Sequence, residues 1–538
     1  MKNLKLPQLA GGLLLAGMML PAGSTLAAAD AESIIRSKCL ACHTEENTDA
    51  AQSGAGKFSR ISHQRKTPEG WLMSIARMQV MHGLDVSDEE RRTLVKYLAD
   101  KQGLAPQEAA GSRYAMERRL NTMESFESTN FEEMCSRCHS GARVALQRRP
   151  ASEWEHLVNF HLGQWPTLEY QAMARDRDWM QLAFNEMVPE LASDFPLQSA
   201  SWDQWQAKSK MPMTGSWSFS AQMPGKGDIR GLMTVTGGKN DQYKVKINGE
   251  YADGSALKGS GTAIVYTGYE WRANLDVDGV KMRQVFAASA DGAELNGRMF
   301  ESVHDEAGMD FSAVRTGSTA KLLSVQPEYI RVGSTEVLTL VGTGLGKQLN
   351  LGDGIKVISE LYRDDNKVVV QATAMTNATP GKRTVKAGKA NGASLTIYDQ
   401  IDSVKVVPDF AVARVGGNGG STPKYNAHFQ AEAWMSGADG KAGTEDDMRI
   451  GFVPAKWHVE PFDAQAEADR DTHFTGRMDA KSGVFTTAGA GPNPERRMST
   501  NNAGNLKVVA EVVEQGNTLS ADGQMIVTVQ RWNNPPLP

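Results

Sequence analysis

The sequence predicts a multidomain chain: an all-α head, then three antiparallel β domains, one barrel-like and two immunoglobulin-like sandwiches. Three observations predict it. The chain has 538 residues, more than one core can organise. Up to about Pro196 it is methionine-rich and helical in pattern. Beyond Pro196, apolar and polar residues alternate between turn signals, and 52 glycines with only 22% charged residues suit turn-rich β structure. A formal net charge of -5 gives no pull toward nucleic acid.

The N-terminus reads as a secretory signal over residues 1–28. Lys2 and Lys5 form a basic start, Leu9 to Leu20 is a short apolar run, and Ala27, Ala28 and Ala29 are small enough for cleavage. No other apolar run is long enough to span a membrane. A soluble periplasmic protein is expected.

Residues 29–200 carry the chemistry. Cys39-Leu40-Ala41-Cys42-His43 and Cys135-Ser136-Arg137-Cys138-His139 use all four cysteines of the chain. Each has the spacing for two thiols to bond the two vinyl groups of one porphyrin, with the adjacent His as first axial ligand of the iron. A thioredoxin-like pair, a zinc site or disulfides compete with this reading. None of them explains why His follows both pairs in an exported chain. The head therefore reads as a dihaem cytochrome c domain. Export agrees, because attachment to such motifs takes place outside the cytoplasm.

Short helices surround the motifs. Ala31 to Lys38 leads into the first. Ser87-Asp88-Glu89-Glu90 is a capping box, opening a helix with Leu94 and Leu98 on one face. Thr67-Pro68-Glu69-Gly70-Trp71 and Arg149-Pro150-Ala151-Ser152-Glu153-Trp154 open two matching helices, each with Pro where a missing N–H costs nothing. The head reads as an internal duplication. Two helical turns after each Trp stand Met78 and His161, on the same face as that Trp. The expected iron ligands are thus His43 with Met78 and His139 with His161. Met81, His82 and His63 compete for the first site and His156 for the second, and Met73, Met78 and Met81 can equally serve as packing.

The β region divides into residues 201–318, 319–402 and 403–538. In the first, Tyr243 to Ile247 alternates up to a turn at Asn248-Gly249, and Trp271 to Val277 up to a turn at Asp278-Gly279. Trp202, Trp205 and Trp217 are expected to pack between layers. In the second, Glu336 to Val341 and Lys367 to Thr373 are strand-like, the latter after the turn Asp364-Asp365-Asn366. In the third, Leu506 to Val513 and Met525 to Val529 are strand runs, and Asn533 to Pro538 is too proline-rich to pair. Asp439, Asp446 and Asp447 lie on a Gly-rich loop that could hold calcium, but a solvated acidic turn is the better reading. No Ser/His/Asp set, phosphate loop or dinucleotide fingerprint stands out, so the chain reads as an electron carrier with no substrate chemistry of its own.

The signal, the two Cys-x-x-Cys-His motifs, the Pro68-Glu69-Gly70-Trp71 segment with Arg77-Met78, and a β tail of roughly 340 residues together carry a resemblance. In that order they resemble the α subunit of quinohaemoprotein amine dehydrogenase. The resemblance implies a heterotrimer with a β-propeller subunit and a small subunit holding a tryptophan-derived quinone cross-linked to cysteine. That quinone would oxidise primary amines to aldehyde and ammonia. Two covalent c-type haems on this chain would pass its electrons to a periplasmic blue copper protein or cytochrome c. No amine-oxidising residue is then expected here. A self-contained dihaem peroxidase, or a cytochrome fused to β binding modules, are the alternatives.

Overall fold

A computed structural model describes residues 31–46, 58–119, 121–417 and 422–529. The signal at residues 1–28 and the proline-rich tail lie outside the described residues.

The head is built from short helices. Ala31–Ile34 runs on through a wider turn, Ile35–Cys39, into the first motif. The helix Pro68–His82 starts where the Thr67 side chain accepts the Gly70 N–H, and stops at Gly83, whose left-handed φ of 70° suits a residue without Cβ. The helix Asp88–Lys101 has the capping box at Ser87, with both reciprocal hydrogen bonds to Glu90. Leu94 and Leu98 are buried on its inner face. Ala151–Gln164 repeats the Pro68 helix in the second unit.

The expectation of an all-α dihaem cytochrome domain is overturned. The chain is mostly β, and strand enters the head itself. There, β1 (Arg65–Lys66) pairs antiparallel with β2 (Gln147–Arg148). The physical cause lies in Pro68 and Pro150. A proline disfavours helix in the residue before it, so each helix is approached by extended chain, and the two approaches pair. Arg65 stands opposite Arg148 in this ladder. They are equivalent positions of the duplication, so the ladder lies on a local pseudo-twofold axis. Glu108 serves both: Arg65 grips it with two bonds of 2.7 and 2.8 Å, and Arg148 Nε approaches to 3.3 Å. All three side chains are buried, so each charge depends on the others for solvation.

Beyond the head, eight strands close a barrel. They are β3 (Gly215–Met223), β4 (Gly227–Gly237), β5 (Gln242–Tyr251), β6 (Ala256–Tyr266), β7 (Glu270–Val277), β8 (Val280–Ala288), β9 (Glu294–Glu301) and β10 (Gly308–Arg315). Closure of β10 onto β3 removes the free edges. Trp217, Phe219, Trp271, Phe286 and Phe311 are buried, with Phe311 stacked 4.8 Å from both Phe219 and Phe286. Side chains fill this barrel. Trp202 and Trp205 join the same core from the last helix of the head, Ala200–Ala207.

Asp278-Gly279 makes the expected two-residue turn, both residues at positive φ. Asn248-Gly249 does not turn. It continues β5, because Gly249 lies under β4, where a Cβ would stand 2.4 Å from the Arg230 carbonyl oxygen. A glycine in a strand here marks close approach of backbone.

The last two regions are not purely antiparallel, which also corrects the predicted class. Tyr329–Arg331 runs parallel to Ser394–Tyr398, and Phe410–Arg414 parallel to Asn517–Thr528. In each case a proline, Pro327 or Pro408, ends a first strand paired in one sheet. Without an N–H to donate, the ladder stops there, and the chain crosses to the opposite sheet beside the module's last strand.

The head docks on the barrel through named contacts. Arg272 of β7 pairs with Glu69 at 2.6 Å, and Arg113 pairs with Glu270 at 2.9 Å. Thr267, Tyr269 and Trp205 add buried hydrogen bonds to backbone carbonyls across the same junction. Among the described residues no helix is long and apolar enough to cross a membrane.

Candidate haem-binding site

Both Cys-x-x-Cys-His motifs follow a short helix that ends in a widened turn, Ile35–Cys39 in one and Glu132–Ser136 in the other. Cys39 and Cys135 are half-buried, Cys42 and Cys138 exposed, and none forms a disulfide. Burial, then Glu190, pushes the Cys135 thiol up to about 12, and burial raises Cys39. A redox dithiol needs the opposite shift, toward thiolate, so the thioredoxin-like reading has no physical support.

The histidines share one arrangement. His43 Nδ1 lies 2.8 Å from the Ser59 carbonyl oxygen, His139 Nδ1 3.0 Å from that of Ser140, and His161 Nδ1 2.8 Å from that of Leu157. A carbonyl oxygen can only accept, so each Nδ1 carries the proton and donates. In the neutral ring Nε2 is then left with its lone pair, the form that binds a metal. Burial lowers the pKa of both His139 and His161, keeping them neutral. Their ring centroids are 6.4 Å apart. That gap accommodates one metal atom at about 2 Å from the near nitrogen of each ring. Trp179 packs 6.5 Å from His161, ring centre to ring centre.

The structure therefore brings His139 and His161 together. Met78 is half-buried near the end of its helix, with its carbonyl accepting from Leu84 at 3.0 Å. Among the competitors, Met81, His82 and His156 are exposed, and His63 is engaged by Glu46 at 3.0 Å. Trp71 and Trp154 are both buried, but only Trp71 finds a partner for its indole N–H, the Gln102 carbonyl.

The sequence named Arg77 only as part of the family resemblance and gave no role to Phe160. The Arg77 guanidinium lies 4.5 Å over the Phe160 ring. The internal alignment that matches Met78 with His161 also matches Arg77 with Phe160, and that signal could have found the contact. The acidic loop uses its carboxylates internally. Asp439 accepts from Lys441 N–H, Asp446 from Thr444 and Asp447 from Gly443 N–H. Among the described residues no cluster of His, Cys, Asp or Glu is arranged to hold a bare metal ion.

Two haem-motif units facing each other across a pseudo-twofold, joined to a closed barrel and two further β modules, define a haem-binding protein on a β scaffold. Comparison with known families makes this specific. Residues 29–202 match the haem-binding domain of the quinohemoprotein amine dehydrogenase alpha subunit. Residues 210–316, 319–399 and 404–537 match domains II, III and IV of that same subunit. The chain belongs to the family of quinohemoprotein amine dehydrogenase alpha subunits, components of an oxidoreductase. No curated protein matches it. Among solved structures, a redesigned β barrel, mFAP1, bound to DFHBI aligns at 15% identity over 19% of this chain and 94% of its own, with a TM-score of 0.18. A Bacteroides ovatus mixed-linkage glucan utilisation protein, SGBP-B, aligns at 10% identity over 59% of this chain and 64% of its own, TM-score 0.19. The Escherichia coli adhesin FdeC aligns at 14% identity over 59% and 99%, TM-score 0.15. Scores this low carry no functional argument.

Proposed function

We propose that this chain is the dihaem electron-transfer subunit of a periplasmic quinohaemoprotein amine dehydrogenase. The assembly oxidises primary amines to aldehyde and ammonia at a tryptophan-derived quinone held by a small partner subunit, with a β-propeller subunit completing the heterotrimer. The supporting observation is the shared state of His43, His139 and His161, each with Nδ1–H donated to a backbone carbonyl and Nε2 left to bind. Cys39 and Cys42 anchor one c-type haem and Cys135 and Cys138 the other. His43 with Met78, and His139 with His161, hold the irons. Bound iron supplies reversible one-electron chemistry, and the external acceptor is a periplasmic blue copper protein or cytochrome c. The ring separation of His139 and His161 counts against an open iron position at the second site, which a peroxidase requires.

The test is mass spectrometry of the native complex from its own host, with one aliquot treated with phenylhydrazine. This chain is expected to carry two haems and to co-purify with a small subunit that gains the hydrazine adduct. A chain that purifies alone, with no adduct on any component, sinks the proposal.

A further inference from the structure

His139 donates its Nδ1–H to the carbonyl of Ser140 at 3.0 Å. That carbonyl shares its peptide group with the Gly141 N–H, which donates to the Glu124 carboxylate at 2.9 Å. One planar, conjugated amide thus stands between the imidazole and a carboxylate. The other Glu124 oxygen accepts from the Tyr114 and Ser140 hydroxyls and from the Ala142 N–H at 3.3 Å. Gly141 and Ala142 are buried, and Glu124 and Tyr114 half-buried, which limits competition from water. Burial works against the Glu124 charge, but these hydrogen bonds outweigh it and hold the carboxyl below its ordinary value. Burial, then the bond to Glu124, pushes the Tyr114 phenol up to about 12, so the phenol stays the donor and the carboxylate stays anionic.

An anionic acceptor on a peptide N–H polarises that peptide and strengthens the hydrogen bond its carbonyl accepts. We infer that Glu124 acts on His139 through the Ser140–Gly141 peptide, making the imidazole a stronger donor to iron, and that Tyr114 moderates this by drawing on the same carboxylate. The inference rests on the haem reading above. Glu124 and Tyr114 are then positioning residues, acting on the iron only through His139. A more strongly donating axial imidazole favours ferric iron, so the relay lowers the second haem's potential. The first unit is wired otherwise. The Ser59 carbonyl that takes the His43 Nδ1–H also takes the Ile61 N–H at 2.7 Å, so its accepting capacity is divided.

The experiment uses the native complex with Glu124→Gln, Tyr114→Phe and Ser140→Ala. Haem content per chain is counted first. A spectroelectrochemical titration then reads each haem's potential. EPR of the ferric protein reads the spread of g values at the second haem, which narrows as an axial imidazole gains imidazolate character. Glu124→Gln keeps an accepting oxygen and removes the charge. Its second haem should become about tenfold easier to reduce, a rise of about 59 mV for a one-electron couple, with a wider g spread. Tyr114→Phe and Ser140→Ala each take a hydroxyl donor from the carboxylate. Their second haem should shift less and in the opposite direction, with a narrower g spread, and these two carry the test if Glu124→Gln fails to load haem. Potentials and g values unchanged in the loaded variants would overturn the relay. So would a second potential that rises when Tyr114 or Ser140 loses its hydroxyl. A potential that moves while the g values stay fixed would also overturn it, since the charge would then act through space. A wild-type chain without covalent haem would overturn the haem reading itself, a distinguishable failure.

Discussion

The two Cys-x-x-Cys-His units start alike and finish differently. Each opens the helix of its proposed ligand with a proline and buries a tryptophan one turn later. In the first unit the Trp71 indole is tied to Gln102, and the proposed ligand is a flexible thioether between two exposed methionines, Met73 and Met81. In the second, His139 and His161 already face each other, each ring fixed through Nδ1 to backbone. The two helices thus repeat one scaffold, and on the proposed assignment they differ at the ligand position, Met78 in one and His161 in the other. A thioether ligand raises the reduction potential relative to a second imidazole. Electrons are therefore expected to run from the second haem to the first.

Changing the anchors should break the comparison most severely. Cys135→Ala with Cys138→Ala should reduce the covalent haem count from two to one, read by pyridine haemochrome, and Cys39→Ala with Cys42→Ala should do the same. A full complement in either pair removes the thioether assignment.

Swapping the proposed sixth ligands should sharpen it. His161→Met is expected to raise the second potential toward the first, and Met78→His to lower the first toward the second. A titration in which neither swap narrows the gap would reassign the ligands to the competing residues.

The joint between the units comes next. Glu108→Ala leaves Arg65 and Arg148 buried without their carboxylate, a loss of about 3–5 kcal/mol by the usual cost of breaking a buried pair. Denaturant unfolding of the complex measures it. Burial works against the Glu108 charge, but the Arg65 hydrogen bonds and charge outweigh it and hold the carboxyl below its ordinary value. The sign follows from that depression. The wild-type advantage over Glu108→Gln should be full above about pH 4.3, the ordinary glutamate value, and vanish as pH falls through the lower folded value. An advantage that grows in acid contradicts the pairing.

The smallest effect lies in the first unit alone. Ser87→Ala removes a capping-box acceptor at a cost of about 1 kcal/mol. Unfolding should register it while both potentials stay put.

Much of this was legible in the chain because it is local. Spacing within five residues set the haem motifs, Ser87 and Glu90 set a helix start, and Asp278-Gly279 set a turn. The duplication was legible too, since Pro and Trp recur at matching positions. The errors came from long-range contact. Asn248-Gly249 has a turn's composition, yet the approach of the Arg230 backbone keeps it in a strand. The head looked wholly helical because two-residue strands carry no periodic signal, and only the meeting of Arg65–Lys66 with Gln147–Arg148 makes them strands.

By itself, then, the sequence determined which atoms are available for haem, because bonding to thiol and imidazole depends on residue type and short spacing. Tertiary structure alone decided which imidazoles approach each other and how Glu108 joins the two halves. Those depend on segments tens of residues apart meeting in space, where burial and charge are set by neighbours that no local pattern encodes.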